Sequence, residues 1–348
     1  MPASILIDDK NINWAKFEAF LRESIKGIPN NPMNVKKFSE GYSNLTYLVY
    51  FGNWEAVLRR PPFGEIPRKA HDMKREYTIL SKINHVYPLA PKPFIYSEDP
   101  DIMGRHFYVM EKKEGIAIDD QLPAVYGSTV EAGSVISNSI LKALIELQSI
   151  DYRASNLTDI GKPEGYLERQ VNGWMKRYKH SKTDDYQDVK ELEDWFLKNI
   201  PTTSETTIVH NDFKLNNILL DLKDPSKVNG VLDWELSTIG DPMTDVGSTV
   251  AYWGQSGDPD LGINIVTNQQ GFYDRRELVE KYAKMSGRDV SGINFYVAFG
   301  FYKLGVILQQ IYYRWIKGEL DDPRFEHLNK AVLNNFEMAN LTRENKIL

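Results

Sequence analysis

Eight consecutive residues, His210-Asn211-Asp212-Phe213-Lys214-Leu215-Asn216-Asn217, combine a carboxylate and a side-chain amide at a spacing that suits group transfer. An Asp and an Asn five positions apart across a loop can face one point, the carboxylate toward a nucleophile and the amide oxygen toward a cation. Asp233 follows at the end of a later apolar run and offers another hard oxygen donor. Phosphoryl transfer needs such a set: a carboxylate to orient and deprotonate an acceptor hydroxyl, and oxygen ligands to hold Mg2+ against the β- and γ-phosphates. Asp212 is therefore the candidate base, and Asn217 and Asp233 are the candidate metal ligands.

Strands must hold these residues in place. Residues 207–209, 218–222 and 228–232 are short apolar runs divided by polar turns, a β island inside an otherwise helical region. Loops at strand ends carry functional groups on a rigid support. Helical patterns surround the island at 131–149, 165–179, 188–199, 274–285, 293–317 and 323–340. Before Gly115 the pattern differs: 44–51 and 54–59 read as strands joined at Gly52-Asn53. Residues 69–83 read as an amphipathic helix with Met73, Tyr77 and Leu80 on one face, and 94–96 and 106–110 as two more strands. The change of pattern suggests a β-rich part, 1–113, and a mainly helical part, 114–348.

With 42% hydrophobic and 12% aromatic residues among 348, the chain can bury one large core or two moderate ones. A formal charge of -6 supplies no broad positive potential, so neither nucleic acid nor an anionic membrane is an expected partner. The absence of cysteine excludes a disulfide scaffold, a thiolate metal site and cysteine catalysis. Residues 290–302 run 13 positions without a charge before Lys303, whereas a membrane span needs ~20, so a buried helix is expected there. The first residues carry Asp8 and Asp9 and no basic segment followed by an apolar one, so a cytoplasmic protein is expected.

The 210–217 segment resembles the catalytic loop of protein kinases and, more closely, that of the aminoglycoside phosphotransferase family, with Val231-Leu232-Asp233-Trp234-Glu235 in place of the kinase Asp-Phe-Gly. Leu232-Asp233-Trp234-Glu235-Leu236-Ser237-Thr238-Ile239-Gly240-Asp241-Pro242 and Leu58-Arg59-Arg60-Pro61-Pro62 resemble phosphotransferase-like proteins related to the kinase domains fused to some acyl-CoA dehydrogenases. Matching segments run from about residue 38 to 318. The resemblance implies an α+β, protein-kinase-like bilobal fold: a small antiparallel-sheet lobe that binds nucleotide, a hinge near Lys113 and a larger helical lobe. It also implies ATP and Mg2+ as cofactors and a small-molecule acceptor. Lys214 falls where protein kinases neutralise the γ-phosphate.

By the same resemblance, Ser39, Gly41, Ser43 and Asn44 belong to a phosphate-covering loop. Arg59 falls where kinases carry the third-strand lysine, and Glu76 where its ion-pair partner belongs. Arginine keeps the charge and grips phosphate with a planar fork, but it is bulkier than lysine and its geometry differs. Glu111 and Lys113 mark the hinge that would meet adenine. His210 would support the catalytic loop, and Asp245 resembles the carboxylate that braces that loop from a helix. Asp241 suits a cap of the same helix.

Arg169, Gln170, Trp174 and Arg177 recur at helical spacing, and two readings stand: a solvated amphipathic face, or contacts to the acceptor. In the second case two arginines beside a tryptophan suit an anionic or acyl-CoA-like acceptor better than a polycationic aminoglycoside. The other histidines, His71, His85, His106, His180 and His327, show no metal-ligand spacing. The expected activity is ATP- and Mg-dependent transfer of a γ-phosphoryl group to a small-molecule hydroxyl, first of all that of a hydroxyacyl-CoA or hydroxy acid. The alternatives are an aminoglycoside phosphotransferase, a nucleotide-binding pseudokinase suggested by Arg59 in place of lysine, and last a metal-dependent hydrolase.

Overall fold

The computed structural model describes residues 12–38, 45–61, 72–202 and 205–348. The chain divides into two compact units, Met1–Glu114 with Gly230–Leu236, and Gly115–Asn229 with Ser237–Leu348.

In the first unit α1 (Trp14–Ser24) precedes β1 (Asn34–Lys37), β2 (Leu45–Phe51) and β3 (Trp54–Arg60), followed by α2 (Met73–Ile83), β4 (Pro93–Ser97), the short α3 (Pro100–Met103) and β5 (Phe107–Glu111). The five strands form an antiparallel sheet in the order β1-β2-β3-β5-β4. Side chains alternate across a strand, so Tyr47, Val49 and Phe51 of β2 all point to one face. They join Trp14, Phe17 and Leu21 of α1 in one apolar cluster. Each fully buried Phe or Leu there contributes ~1.5–3 kcal/mol. On β3, Arg59 stands opposite Tyr108 of β5. Asp72 caps α2 by accepting from the Arg75 amide, and the helix buries Met73, Ile79, Leu80 and Ile83 together with Glu76. The sequence reading of β-β-helix-β-β is present here, with α1, β1 and the short α3 in addition.

The second unit contains α4 (Thr129–Gln148), α5 (Tyr166–Ser181), α6 (Gln187–Lys198), α7 (Met243–Tyr252), α8 (Arg275–Ser286), α9 (Ile293–Ile316) and α10 (Leu328–Arg343). Between α6 and α7 lie β6 (Thr207–Val209), β7 (Ile218–Leu220), β8 (Val228–Val231) and β9 (Thr238–Gly240). β6 pairs antiparallel with β9, Ile208 facing Ile239. β8 carries the chain from the second unit into the first. α9 is buried along most of its length and packs against α5, α7 and α10. Its crossing with α7 is close: a Cβ on Gly247 would meet the Tyr296 backbone at 2.4 Å, and one on Gly300 the Gly247 carbonyl oxygen at 2.7 Å. Only glycine allows that approach, which seats α7 directly against α9. Among the described residues no helix is long and apolar enough to cross a membrane.

Candidate active site

The 210–217 loop leaves β6 and is tied down through its backbone. Asp245, fully buried on the first turn of α7, accepts hydrogen bonds from the backbone N–H of His210 at 2.6 Å and of Asn211 at 2.7 Å. Two successive amides can aim at one carboxylate because Asn211 is left-handed, with φ 66°. Asn and Asp tolerate that region better than other side chains, and such strain gathers at functional sites. The Tyr166 hydroxyl of α5 donates to the Asn211 side-chain oxygen at 2.7 Å. Thr249 of α7 donates to the Phe213 carbonyl at 2.7 Å, and Ser237 to the His210 carbonyl at 3.4 Å. The His210 ring is buried edge-on against Phe213.

Lys303 approaches the same loop from α9. Its ammonium donates to Ser248 Oγ at 3.3 Å and to the Asn211 carbonyl at 3.5 Å. Burial pushes the Asp245 carboxyl up to about 6, while the two amide bonds and the Lys303 charge pull the other way. Burial lowers Lys303 in turn, opposed by Asp245 and Asp212. The two groups offset part of each other's desolvation, as buried charges must.

Asp212 stands where this bracing ends. Its Oδ2 accepts from Asn217 Nδ2 at 2.8 Å and lies 3.1 Å from the Lys214 ammonium. Asn217 Nδ2 also donates to the Asp212 carbonyl at 2.9 Å. With Nδ2 so committed, the amide oxygen of Asn217 is the atom with ligand chemistry. Both side-chain contacts on Asp212 fall on Oδ2, which leaves Oδ1 to accept a proton. The Lys214 ammonium also lies 5.1 Å from the centre of the Tyr252 ring, a cation–π distance.

The first unit assembles a second set. Arg59 Nη1 donates to Glu76 Oε1 at 2.5 Å, and Nη2 to Asp233 Oδ1 at 3.4 Å, so one guanidinium joins the α2 glutamate to the aspartate after β8. Glu76 is 1% exposed. Burial pushes its carboxyl up to about 7 against the pull of Arg59, with Asp233 and Glu235 adding to the rise. Asp233 is left-handed, φ 69°. Its neighbours anchor the turn: Val231 N–H donates to the Leu89 carbonyl, and Trp234 Nε1 to the Val231 carbonyl.

The other expected residues are placed as follows. The Glu111 carboxylate accepts from Lys92 N–H at 3.0 Å, and Lys113 donates to the Pro88 carbonyl at 2.8 Å and pairs with Glu111 at 3.1 Å. Both side chains thus hold the 88–92 segment onto the end of β5. Arg169 is turned away from Trp174 and donates to the Lys162 and Glu164 carbonyls before α5. Arg177 lies 4.5 Å over the Trp174 ring, and Lys303 lies 5.6 Å from that ring's centre. Asp241 accepts from Met243 N–H at the start of α7 and from the Tyr296 hydroxyl at 2.6 Å. Ser39, Gly41, Ser43 and Asn44 lie outside the described residues.

Sequence reasoning missed Lys303, Tyr166 and Thr249. Only Lys303 left a signal, as the charge that ends the apolar run 290–302. By donor type, the amide oxygen of Asn217 in the second unit and the carboxylate of Asp233 in the first are each hard oxygens of the kind that suits a cation such as Mg2+. Among the described residues no three His, Asp or Glu side chains gather into a cluster of the kind that holds zinc.

The profile of the phosphotransferase enzyme family matches residues 34–279. Acyl-CoA dehydrogenase family member 10 of Mus musculus is 32% identical over 335 residues, covering 92% of this chain and 30% of that protein. The chain thus spans about a third of that relative's length. A crystal structure from Ralstonia eutropha, provisionally named an aminoglycoside phosphotransferase, superposes with a TM-score of 0.80 at 28% identity, over 95% of this chain and 98% of that one. Choline kinase of Cryptosporidium parvum shares the fold alone, with a TM-score of 0.65 at 12% identity over 96% of each chain. The α+β fold is therefore that of the protein-kinase-like phosphotransferases. With more than two thirds of its length inside the family profile, the chain belongs to the phosphotransferase enzyme family.

Proposed function

We propose that this protein is an ATP- and Mg2+-dependent kinase of a hydroxylated small molecule. The observation that carries the reading is the state of Asp212: its carboxylate is gripped on one oxygen by Asn217 and Lys214, on a loop whose backbone Asp245 fixes. In the proposed step the acceptor hydroxyl gives its proton to Asp212 Oδ1 as the acceptor oxygen bonds to the γ-phosphorus. The bond from that phosphorus to the β–γ bridging oxygen breaks, and ADP leaves with the electron pair. Mg2+ bound through Asn217 and Asp233 would neutralise charge on the phosphates. Lys214 would offset charge on the transferring group, and Arg59, oriented by Glu76, would hold the nucleotide phosphates. In this reading Glu111 and Lys113 shape the hinge beside adenine and His210 supports the loop.

For the acceptor, the similarity to an acyl-CoA dehydrogenase family member favours a hydroxyacyl-CoA or a related hydroxy acid, ahead of an aminoglycoside. The pairing of Arg59 with both Glu76 and Asp233 favours a working nucleotide site over a pseudokinase, because arginine there keeps the ion pair that would aim it at phosphate. The test is incubation with ATP and Mg2+ against a panel of hydroxyacyl-CoAs, hydroxy acids, amino alcohols and aminoglycosides, with phosphorylated product read by mass. A phosphorylated hydroxyacyl-CoA or hydroxy acid is expected. Nucleotide binding with no product from any acceptor would support the pseudokinase, and phosphate release without an acceptor would support a hydrolase.

A further inference from the structure

α5 and α9 leave a cleft of about 490 Å3 between them. Its lining includes Lys176, Arg177 and His180 from α5 and Gln310, Tyr313 and Arg314 from α9, and it contains no acidic side chain. Lys176 and Arg177 form no ion pair among the described residues, and Arg314 makes only an exposed contact at 3.4 Å to Glu319, of the kind that contributes little. His180 Nδ1 faces the Lys176 carbonyl at 2.6 Å. The ordinary preference for cations at a helix C-terminus accounts for Lys179 and His180 in the last turn of α5. It equally accounts for Arg314 in the last turn of α9, but not for Lys176 and Arg177 further back in α5.

The cleft is joined to the catalytic loop by contact. Arg177 covers the Trp174 ring, Trp174 meets Lys303, and Lys303 donates to the carbonyl of Asn211, the residue before Asp212. Along α9, Gln310 and Arg314 lie seven and eleven residues beyond Lys303, or about 10 to 16 Å at 1.5 Å per residue. Desolvation of its guanidinium also lowers Arg177, with no carboxylate named among the causes to oppose it.

We infer that the α5–α9 cleft holds the phosphate-bearing end of an elongated acceptor whose hydroxyl reaches Asp212. The inference rests on the kinase reading and on an acceptor that carries phosphates at a distance from its reacting hydroxyl, and adds where those phosphates lie. Lys176, Arg177 and Arg314 supply the charge, and Trp174 packs against the connecting part. Guanidinium forks suit phosphate through paired N–H donors.

Two measurements test it. With ADP saturating the nucleotide site, inorganic pyrophosphate is titrated calorimetrically into the protein and into a Lys176→Glu/Arg314→Glu variant, whose altered side chains are exposed and whose fold is checked by circular dichroism. Binding that weakens with salt, and that is roughly tenfold weaker in the variant, is expected. Phosphorylation of a hydroxyacyl-CoA is then compared with that of the same acyl group on pantetheine, which lacks the phosphates. The protein is expected to favour the former roughly tenfold, through KM, and both the double variant and Arg177→Gln to lose that preference. Pyrophosphate binding unchanged by the double substitution, or no preference between the acceptors in the native protein, overturns the inference while leaving the kinase reading intact. Failure to phosphorylate any acceptor would sink the kinase reading instead, and the pyrophosphate titration would still decide the cleft.

Discussion

Asp212 and Asp233 both sit at left-handed backbone, one just after Asn211 and the other in that conformation itself, yet their surroundings hold them by different means. The Asp212 loop is secured through main-chain groups: Asp245, Ser237, Thr249 and Lys303 bond to N–H or carbonyl groups from His210 to Phe213. The turn at Asp233 is tied at Val231, but the Asp233 carboxylate itself is held by an arginine that a buried glutamate orients. Main-chain anchorage fixes a loop whatever the protonation of the side chain it presents. Side-chain anchorage makes position depend on charge. The first region should therefore fail when a buried brace is removed, and the second when a proton is added.

The largest effect should come from Asp212→Asn. Loss of a general base costs typically 10^2–10^4-fold in rate, and acceptor-dependent ADP release is expected to fall by about that much while ATP affinity persists. Because the loop hangs on its backbone bonds, hydrogen exchange at the His210 and Asn211 amides should stay slow. Fast exchange there would mean that Asp212 itself holds the loop.

Next comes the brace. Asp245→Asn leaves one acceptor oxygen for two backbone donors and removes the charge opposite Lys303, at about 1.5–3 kcal/mol for each charge-assisted bond lost. Urea unfolding should show a loss in that range, and exchange of the two loop amides should quicken well beyond the change in global stability. Unaltered exchange would show that Ser237, Thr249 and Lys303 suffice.

The legibility of the two regions differs for the same physical reason. The strands around Asp212 are short apolar runs between polar turns, and the spacing of Asp212 and Asn217 is local, so both could be read along the chain. Of the brace, Asp245 was expected through family resemblance alone, and no local pattern marked its helix. Residues 243–252 mix Met, Thr, Asp, Gly and Ser with no apolar stripe, because α7 is buried on nearly every side and has no solvent face to mark. Lys303 stood out only as a charge ending an apolar run. What it reaches depends on the approach of Gly247 to Gly300, which no pattern along either segment announces. α1 did carry a signal, Trp14, Phe17 and Leu21 at helical spacing, which the sequence reading left unused. Arg59 and Glu76 were paired through family resemblance, whereas the reach of Arg59 to Asp233 follows from the return of Gly230–Leu236 to the first unit.

The charge-held region can be probed by pH. Glu76 is raised from 4.5 to about 7, so in the native state it ionises only as pH climbs through that value. Below it the neutral acid no longer pairs with Arg59, and KM for ATP is expected to rise by roughly tenfold on acidification from 8 to 6. Glu76→Gln should show the high KM at both ends and no inflection. The stability sign runs the other way. A carboxyl whose folded pKa exceeds its unfolded one binds more protons when folded, so its contribution is fully present below 4.5 and is lost as pH rises through 7. Relative to Glu76→Gln, the native protein should lose stability across that window. A KM profile shared by both proteins would place the titrating group elsewhere.

The smallest effect should come from Arg59→Lys. A guanidinium reaches Glu76 with one nitrogen and Asp233 with another, while an ammonium is a single point on a shorter side chain. Charge survives, so the pair with Glu76 should persist and the contact with Asp233 should be lost. The expected cost is a few-fold, about 0.5–1.5 kcal/mol for one net hydrogen bond, and it should appear as a weaker apparent affinity for Mg2+ more than for ATP, because Asp233 is the proposed ligand. A titration of activity against Mg2+ at fixed ATP separates the two. A shift in KM for ATP alone would show that Arg59 serves the phosphates only and that its reach to Asp233 does nothing for the metal.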